Sequence, residues 1–271
     1  MSPLSSGSER WEAIRLDAED GLAVLRLDRP RLLNAVDDQM RAELKTAVDI
    51  LGSDDSLRGL IVTGTGRAFC AGGDIRSMEE RAAQGNRASE IGWRRQVPLH
   101  ETLQKLYGLG FPTLAALNGS AHGLGLDLAL NCDFIWAVPE ASLSSAFIKR
   151  GLIPDGGGLF HLPRRIGPAR AKELVFSGRS VTAQQALAWG LVDRIVAADA
   201  LMGEARGWLG ELGGHPLLAQ ALAKGLLNRS LETGLEALNQ QGRQAQAICF
   251  GSAAHREQVD SFLASRRGSS Q

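Results

Sequence analysis

Two short glycine-rich stretches hold the residues most able to do chemistry, Phe69-Cys70-Ala71-Gly72-Gly73-Asp74 and Asn118-Gly119-Ser120-Ala121-His122-Gly123-Leu124-Gly125-Leu126-Asp127. Each follows an apolar, strand-like run, at 59–63 and at 113–117, so small residues stand where a strand ends and the backbone must turn. Amides left unpaired at a helix start point outward and carry the positive end of the helix dipole. Two such loops brought together could hold one oxygen that becomes negative during a reaction, which is an oxyanion hole. Glycines that only make tight turns would give the same pattern in either loop alone. His122, inside the second loop, is open to three readings: base, substrate contact or structural residue. Gly64-Thr65-Gly66 lacks the third glycine of a dinucleotide loop and a helix directly after it, and neither a Walker nor a GxSxG pattern occurs.

The elements that must position these loops alternate along the chain. Residues 11–17 and 22–28 read as strands joined by an Asp20-Gly21 turn, and 37–51 carries Met40, Leu44, Val48 and Leu51 at helical spacing. Strand patterns return at 59–63, 113–117, 134–138 and around Leu143, with helices expected over 93–109, 123–131 and 157–164. A repeated strand-strand-helix unit must bury each apolar face on the next, which predicts an α/β fold with a stacked, spiral core rather than an open sheet with a switch point. After about Gly190 the strands are expected to stop. Four amphipathic helical segments follow, at 201–212, 216–228, 231–250 and 253–265. The division expected is a loose N-terminus over 1–9, a spiral core over 10–195 and a C-terminal helical extension over 196–271.

Composition sets limits. The 271 residues are 44% hydrophobic and 22% charged, enough to bury a substantial core. Thirty basic residues balance thirty acidic ones, which removes the electrostatic case for nucleic acid or an anionic membrane surface as partner. Cys70, Cys132 and Cys249 lie far apart with no histidine at ligand spacing, so neither a metal site nor a disulfide framework is expected, and the compartment reads as reducing and cytoplasmic. Residues 1–9 are polar and serine-rich, unlike a secretory signal, and no apolar run reaches membrane-spanning length.

Five motifs in one order sharpen the reading. They are Leu27-Asp28-Arg29-Pro30 with Leu33-Asn34-Ala35; Ala68 to Ile75; Asn118-Gly119 with Gly123-Leu124-Gly125; Gly151-Leu152-Ile153-Pro154-Asp155-Gly156-Gly157-Gly158; and Ser177-Gly178-Arg179 leading to Ala186 and Gly190-Leu191-Val192. Through almost its whole length the chain resembles the crotonase family of enoyl-CoA hydratases and isomerases. The resemblance implies that family's spiral fold, with oxyanion amides at Gly73 and Leu124 and a helical extension that makes a homotrimer or dimer of trimers. It also implies that no cofactor is permanently bound, coenzyme A being part of an acyl-CoA thioester substrate.

Catalytic groups follow from the same resemblance. Of the two glutamates of the family's hydratases, the first position here is Phe147, which cannot carry a proton, and the second is Asp127. Asp155 stands where the family's double-bond isomerases and its dehalogenase carry an aspartate. Loss of one carboxylate argues against efficient addition of water, which wants two, whereas one carboxylate above an enolate can move a proton between carbons. Asp155 could instead be a helix N-cap, and Asp127 a satisfied polar neighbour of its loop. The coenzyme contacts implied are Ala71, Gly73, Asp74, Ile75 and Arg76 of the first loop with Arg31 and the Arg266-Arg267 pair, although the arginines read equally as solvated charges. Asp74 itself reads as bracing its loop, and Phe147 and Met78 are the acyl contacts expected. The sequence therefore reads as an enoyl-CoA double-bond isomerase. A hydratase is the alternative, and from another class a non-catalytic oligomeric acyl-CoA-binding protein.

Overall fold

The computed structural model describes residues 8–268 of the chain. Expectations for residues 1–7 lie outside the described residues, while Ser8–Arg10 form a first strand, β1, antiparallel to β2 (Ile14–Glu19). β2 and β3 (Leu22–Leu27) make the expected hairpin. Asp20 and Gly21 both have positive φ, 51° and 78°, the two-residue turn whose twist matches that of paired strands. Helix α1 (Asp38–Ser53) begins where Asp37 accepts the Met40 amide at 2.9 Å, and it buries Met40, Leu44, Ala47, Val48 and Leu51 along one face.

From there each strand-strand unit splits its strands between two sheets. β4 (Gly59–Gly64), β6 (Thr113–Leu117) and β8 (Phe134–Ala137) extend the first sheet in parallel, in the order β1-β2-β3-β4-β6-β8-β11, the last being Arg194–Ile195. Their short partners β5 (Ala68–Cys70), β7 (Ser120–His122) and β9 (Ser142–Ser144) form a second, parallel ladder, closed by the antiparallel β10 (Val181–Thr182). This two-ladder stack is the expected α/β spiral. Every residue of β4 is buried, as a strand covered on both faces must be.

Several boundaries differ from expectation. A short helix α2 (Ile75–Ala82) precedes α3, and α3 (Ala88–Tyr107) starts five residues earlier than its apolar spacing shows because none of its residues before Leu99 is buried. α4 (Leu124–Leu130) matches, but α5 (Gly158–Ser177) runs thirteen residues past the expected end, bent at Gly167 with φ 76° between Pro163 and Pro168. Strands do not stop at Gly190, since after α6 (Ala183–Trp189) β11 (Arg194–Ile195) joins the edge of the large sheet beside β8.

α7 (Leu201–Gly213) buries Leu201, Ala205 and Leu209 against the sheet. α8 (Leu217–Leu227), α9 (Leu235–Gly251) and α10 (Ala253–Gly268) follow, and among their described residues none is buried. Leu218, Leu227, Leu235, Ile248, Phe250, Phe262 and Leu263 on these helices are exposed. No described helix is long and apolar enough to cross a membrane.

Candidate active site

The first glycine loop is held from beneath by a buried asparagine. Asn34 Nδ2 donates to the carbonyls of Thr65, Ala68 and Phe69, and Asn34 Oδ1 accepts from Arg29 N. Val36 pairs with the loop as a strand would, its N–H donating to Gly72 O at 2.8 Å and its carbonyl accepting from Asp74 N at 3.0 Å. The amide between those two groups, Gly73 N–H, points the other way and has no acceptor among the described residues. Asp74 braces the loop, accepting from Arg76 N at 2.9 Å and pairing with Arg29 at 3.1 Å.

The second loop ends at α4. Gly123 N–H donates to Ser144 O, and the first helical amide, Leu124 N–H, is one of those a helix cannot pair internally. The loops touch at Gly72, whose φ is 100° and where a Cβ would lie 2.7 Å from His122 O and 3.6 Å from Leu124 N. No side chain could stand there, and its absence brings the two unpaired amides to one place. His122 bonds Ser144 Oγ at 2.6 Å and lies outside the cavity lining; burial, helped by the charge of Lys149, pushes its pKa down.

Both amides face a cavity of about 1640 Å³ lined also by Met78, Phe147, Asp155, Tyr107 and Phe160. Asp155 is half-buried on its wall and is not the cap of α5, which starts at Gly158 after Gly157. Its Oδ2 accepts from Gln96 Nε2 at 2.6 Å, and His100 Nε2–H donates to its backbone carbonyl at 2.7 Å. Asp127 is placed differently from a carboxylate meant to touch substrate. It is 0% exposed and lies behind the loop, where Oδ2 accepts from Gly156 N at 2.8 Å. Its Oδ1 meets the Gly158 backbone without completing a hydrogen bond, at a distance that leaves no room for a Cβ there. Burial pushes the Asp127 pKa up to about 7, with the neighbouring Asp155 charge adding to the rise.

Phe147, 9% exposed, lines the cavity near Gly123, so an apolar ring stands by the second oxyanion loop. Of the other expected contacts, Gly73, Ile75 and Met78 line the cavity, whereas Ala71, Asp74, Arg76 and Arg31 do not. Ala71, Arg31 and Arg76 are exposed, Arg266 lies by Phe262 on α10, and the side chain of Arg267 falls outside the described residues. Arg41, Arg95 and Arg150 line the cavity instead. Gln96, His100, Arg41 and Arg95 were not legible beforehand, because they meet the site across helices, whereas Arg150 stands in the turn just before Asp155.

The amino-acid sequence matches the enoyl-CoA hydratase/isomerase family over residues 17–269. The chain belongs to that family, the crotonases. It is therefore an enzyme fold in kind, and relatives carry both activities in their names. It is 34% identical over 255 residues to 1,2-epoxyphenylacetyl-CoA isomerase of Escherichia coli, covering 94% of this chain and 97% of that protein. It is 32% identical over 258 residues to crotonyl-CoA hydratase of Syntrophomonas wolfei, covering 95% and 97%. Among solved structures, an enoyl-CoA hydratase/isomerase from Cupriavidus metallidurans superposes with a TM-score of 0.88 at 29% identity, covering 95% of each chain. An enoyl-CoA hydratase from Bacillus anthracis gives 0.87 at 30% identity, covering 94% and 97%. For this crotonase, the structural matches agree with the two-ladder spiral.

Proposed function

We propose that this crotonase moves a double bond in an acyl-CoA thioester, with Asp155 carrying the proton and the Gly73 and Leu124 amides holding the enolate oxygen. The observation that carries the reading is the state of the three candidate proton positions. Asp155 lines the cavity, Phe147 offers no proton carrier, and Asp127 is sealed behind the loop. With a 3-enoyl substrate, the Asp155 carboxylate takes a proton from the carbon next to the carbonyl. The C–H electron pair moves toward the thioester, whose oxygen gains charge against the two amides. Return of that proton to the fourth carbon leaves the 2-enoyl product, and no atom is gained or lost. Addition of water would need a second group to hold and activate it, and the Phe147 ring supplies none.

Arg150 from the 3-10 turn Ala146–Arg150, with Arg41 of α1, are the cations this reading assigns to the coenzyme phosphates. The exposed apolar side chains of α8, α9 and α10 support self-association, read with the family resemblance as a trimer or a dimer of trimers.

The test compares parent and Asp155→Asn on 3-enoyl-CoA and crotonyl-CoA. The variant keeps coenzyme-ester binding and loses isomerisation by about a hundred- to ten-thousandfold, the usual weight of a general acid-base. The parent hydrates crotonyl-CoA more slowly than it isomerises a 3-enoyl-CoA. Rapid hydration with no double-bond migration overturns the assignment in favour of a hydratase.

A further inference from the structure

Asp155 is joined to one side chain whose other end is unused. Gln96 Nε2 donates to Asp155 Oδ2, while Gln96 Oε1 and Asp155 Oδ1 are both shielded from water and both without a partner among the described residues. Turning the amide over would set its oxygen against the carboxylate, so the ionised form of Asp155 fixes the amide as found. Neither orphan can then satisfy the other, because both are acceptors. A proton on Asp155 changes that: an O–H on Oδ1 can donate to Gln96 Oε1 while Nε2–H still donates to Oδ2, closing a two-bond amide–acid ring.

We propose that Gln96 is the positioning residue for the travelling proton, holding Asp155 in one orientation both as carboxylate and as carboxylic acid. The inference rests on the reading of Asp155 as proton carrier. A carboxyl that must accept and then return a proton gains from a partner that serves both states, since reorientation between the two half-reactions is avoided. Gln96 comes from α3, fifty-nine residues from Asp155 in sequence, and it also lines the cavity. The other titratable or charged groups around the pair are His100 of α3, bonded to the Asp155 carbonyl, and Asp127 of α4 behind the loop. Arg41 of α1, Glu79 of α2, Arg95 of α3, Arg150 of the 3-10 turn, His161 of α5 and Glu232 before α9 line the same cavity.

The test uses the full chain carrying Gln96→Met, of similar length without polar atoms, and Gln96→Glu, each beside the parent and Asp155→Asn. Isomerisation of a 3-enoyl-CoA is followed as kcat, KM and the acid limb of kcat/KM against pH. Gln96→Met lowers kcat by about ten- to a hundredfold, the scale of a lost hydrogen bond to a charged group, with KM changed less than about twofold. Its acid limb moves, because Gln96 bonds the two protonation states unequally, once to the carboxylate and twice to the acid. Gln96→Glu keeps a donor only while the pair of carboxyls holds one proton. It therefore exceeds Gln96→Met at low pH and loses that advantage as pH rises. A folded Gln96→Met with parental kcat and an unmoved acid limb overturns the proposal. So does a loss of kcat with an unmoved limb and no advantage for Gln96→Glu, which would mark a packing role. Retained activity in Asp155→Asn removes Asp155 as carrier, and the role of Gln96 falls with it.

Discussion

Replacing Asp127 by asparagine should change how stability depends on pH, in a direction the structure fixes. Asp127 is buried, and its pKa rises from the ordinary 3.8 to about 7. Between those values the folded chain holds a proton that the unfolded chain has released, so stability is highest at low pH and falls as pH rises through the window. At about 1.4 kcal/mol per pH unit the loss amounts to about 4 kcal/mol by neutral pH. His161 works in the opposite sense. Burial, with the charges of Arg165 and Arg164, pushes its pKa from 6.5 down to about 4. The unfolded chain then holds the extra proton between pH 4 and 6.5, and stability rises with pH there by about 3 kcal/mol. The two groups nearly cancel in the parent.

Asp127→Asn removes one side of that balance, and its amide oxygen can still accept the Gly156 N–H that holds the loop. Urea unfolding at equal protein concentration, followed by fluorescence of the five tryptophans, measures the effect from pH 4.5 to 7.5. The stability of Asp127→Asn relative to parent should climb by about 3–4 kcal/mol across that range, since other carboxylates contribute equally to both. His161→Gln should drift the opposite way. An Asp127→Asn difference that is flat within about 1 kcal/mol would refute the claim that Asp127 sits protonated behind the loop.

Two further outcomes are expected. Gly73→Pro removes one of the two oxyanion donors and should cost about a hundred- to a thousandfold in kcat; a variant that is folded by circular dichroism and fully active refutes the donor assignment. Light scattering should return a mass of three or six chains of 28.9 kDa, and a monomer at micromolar concentration would leave the exposed faces of α8 to α10 without their occupant.

What could be read from the sequence was set by local chemistry. The Asp20-Gly21 turn, the helical spacing of α1 and the apolar runs of β4 and β6 each announce themselves within a few residues, and the structure has them within a residue or two. β5 and β7 were harder to read as strands. Three residues are too few to show alternation, and their strand geometry comes from pairing with each other and with β9. The start of α3 was hidden because its first two turns face away from the core, leaving no apolar spacing to follow. Asp127 did leave a signal: it is the sole charge in the run Leu124–Leu130, all of which is buried, so its carboxyl had to find a partner or keep a proton.

That placement bears on how one fold hosts several reactions. The spiral fixes two backbone amides through the pairing of Val36, Asn34 and β9 with the glycine loops, and none of those contacts involves a substrate-facing side chain. On the proposed reading, enolate stabilisation is therefore a property of the backbone and survives side-chain change around it. The proton chemistry is not so protected. It depends on which side chains reach the cavity from the 3-10 turn, from the loop before α5 and from α3, and here these are Phe147, Asp155 and Gln96. A carboxylate introduced at Phe147 would share the cavity with Asp155, while Asp127 would still be held behind the Gly156 amide. On the proposed reading, the reaction is decided by which carboxyl stands beside the two loop amides, and this structure puts Asp155 on that cavity wall while keeping Asp127 out of reach.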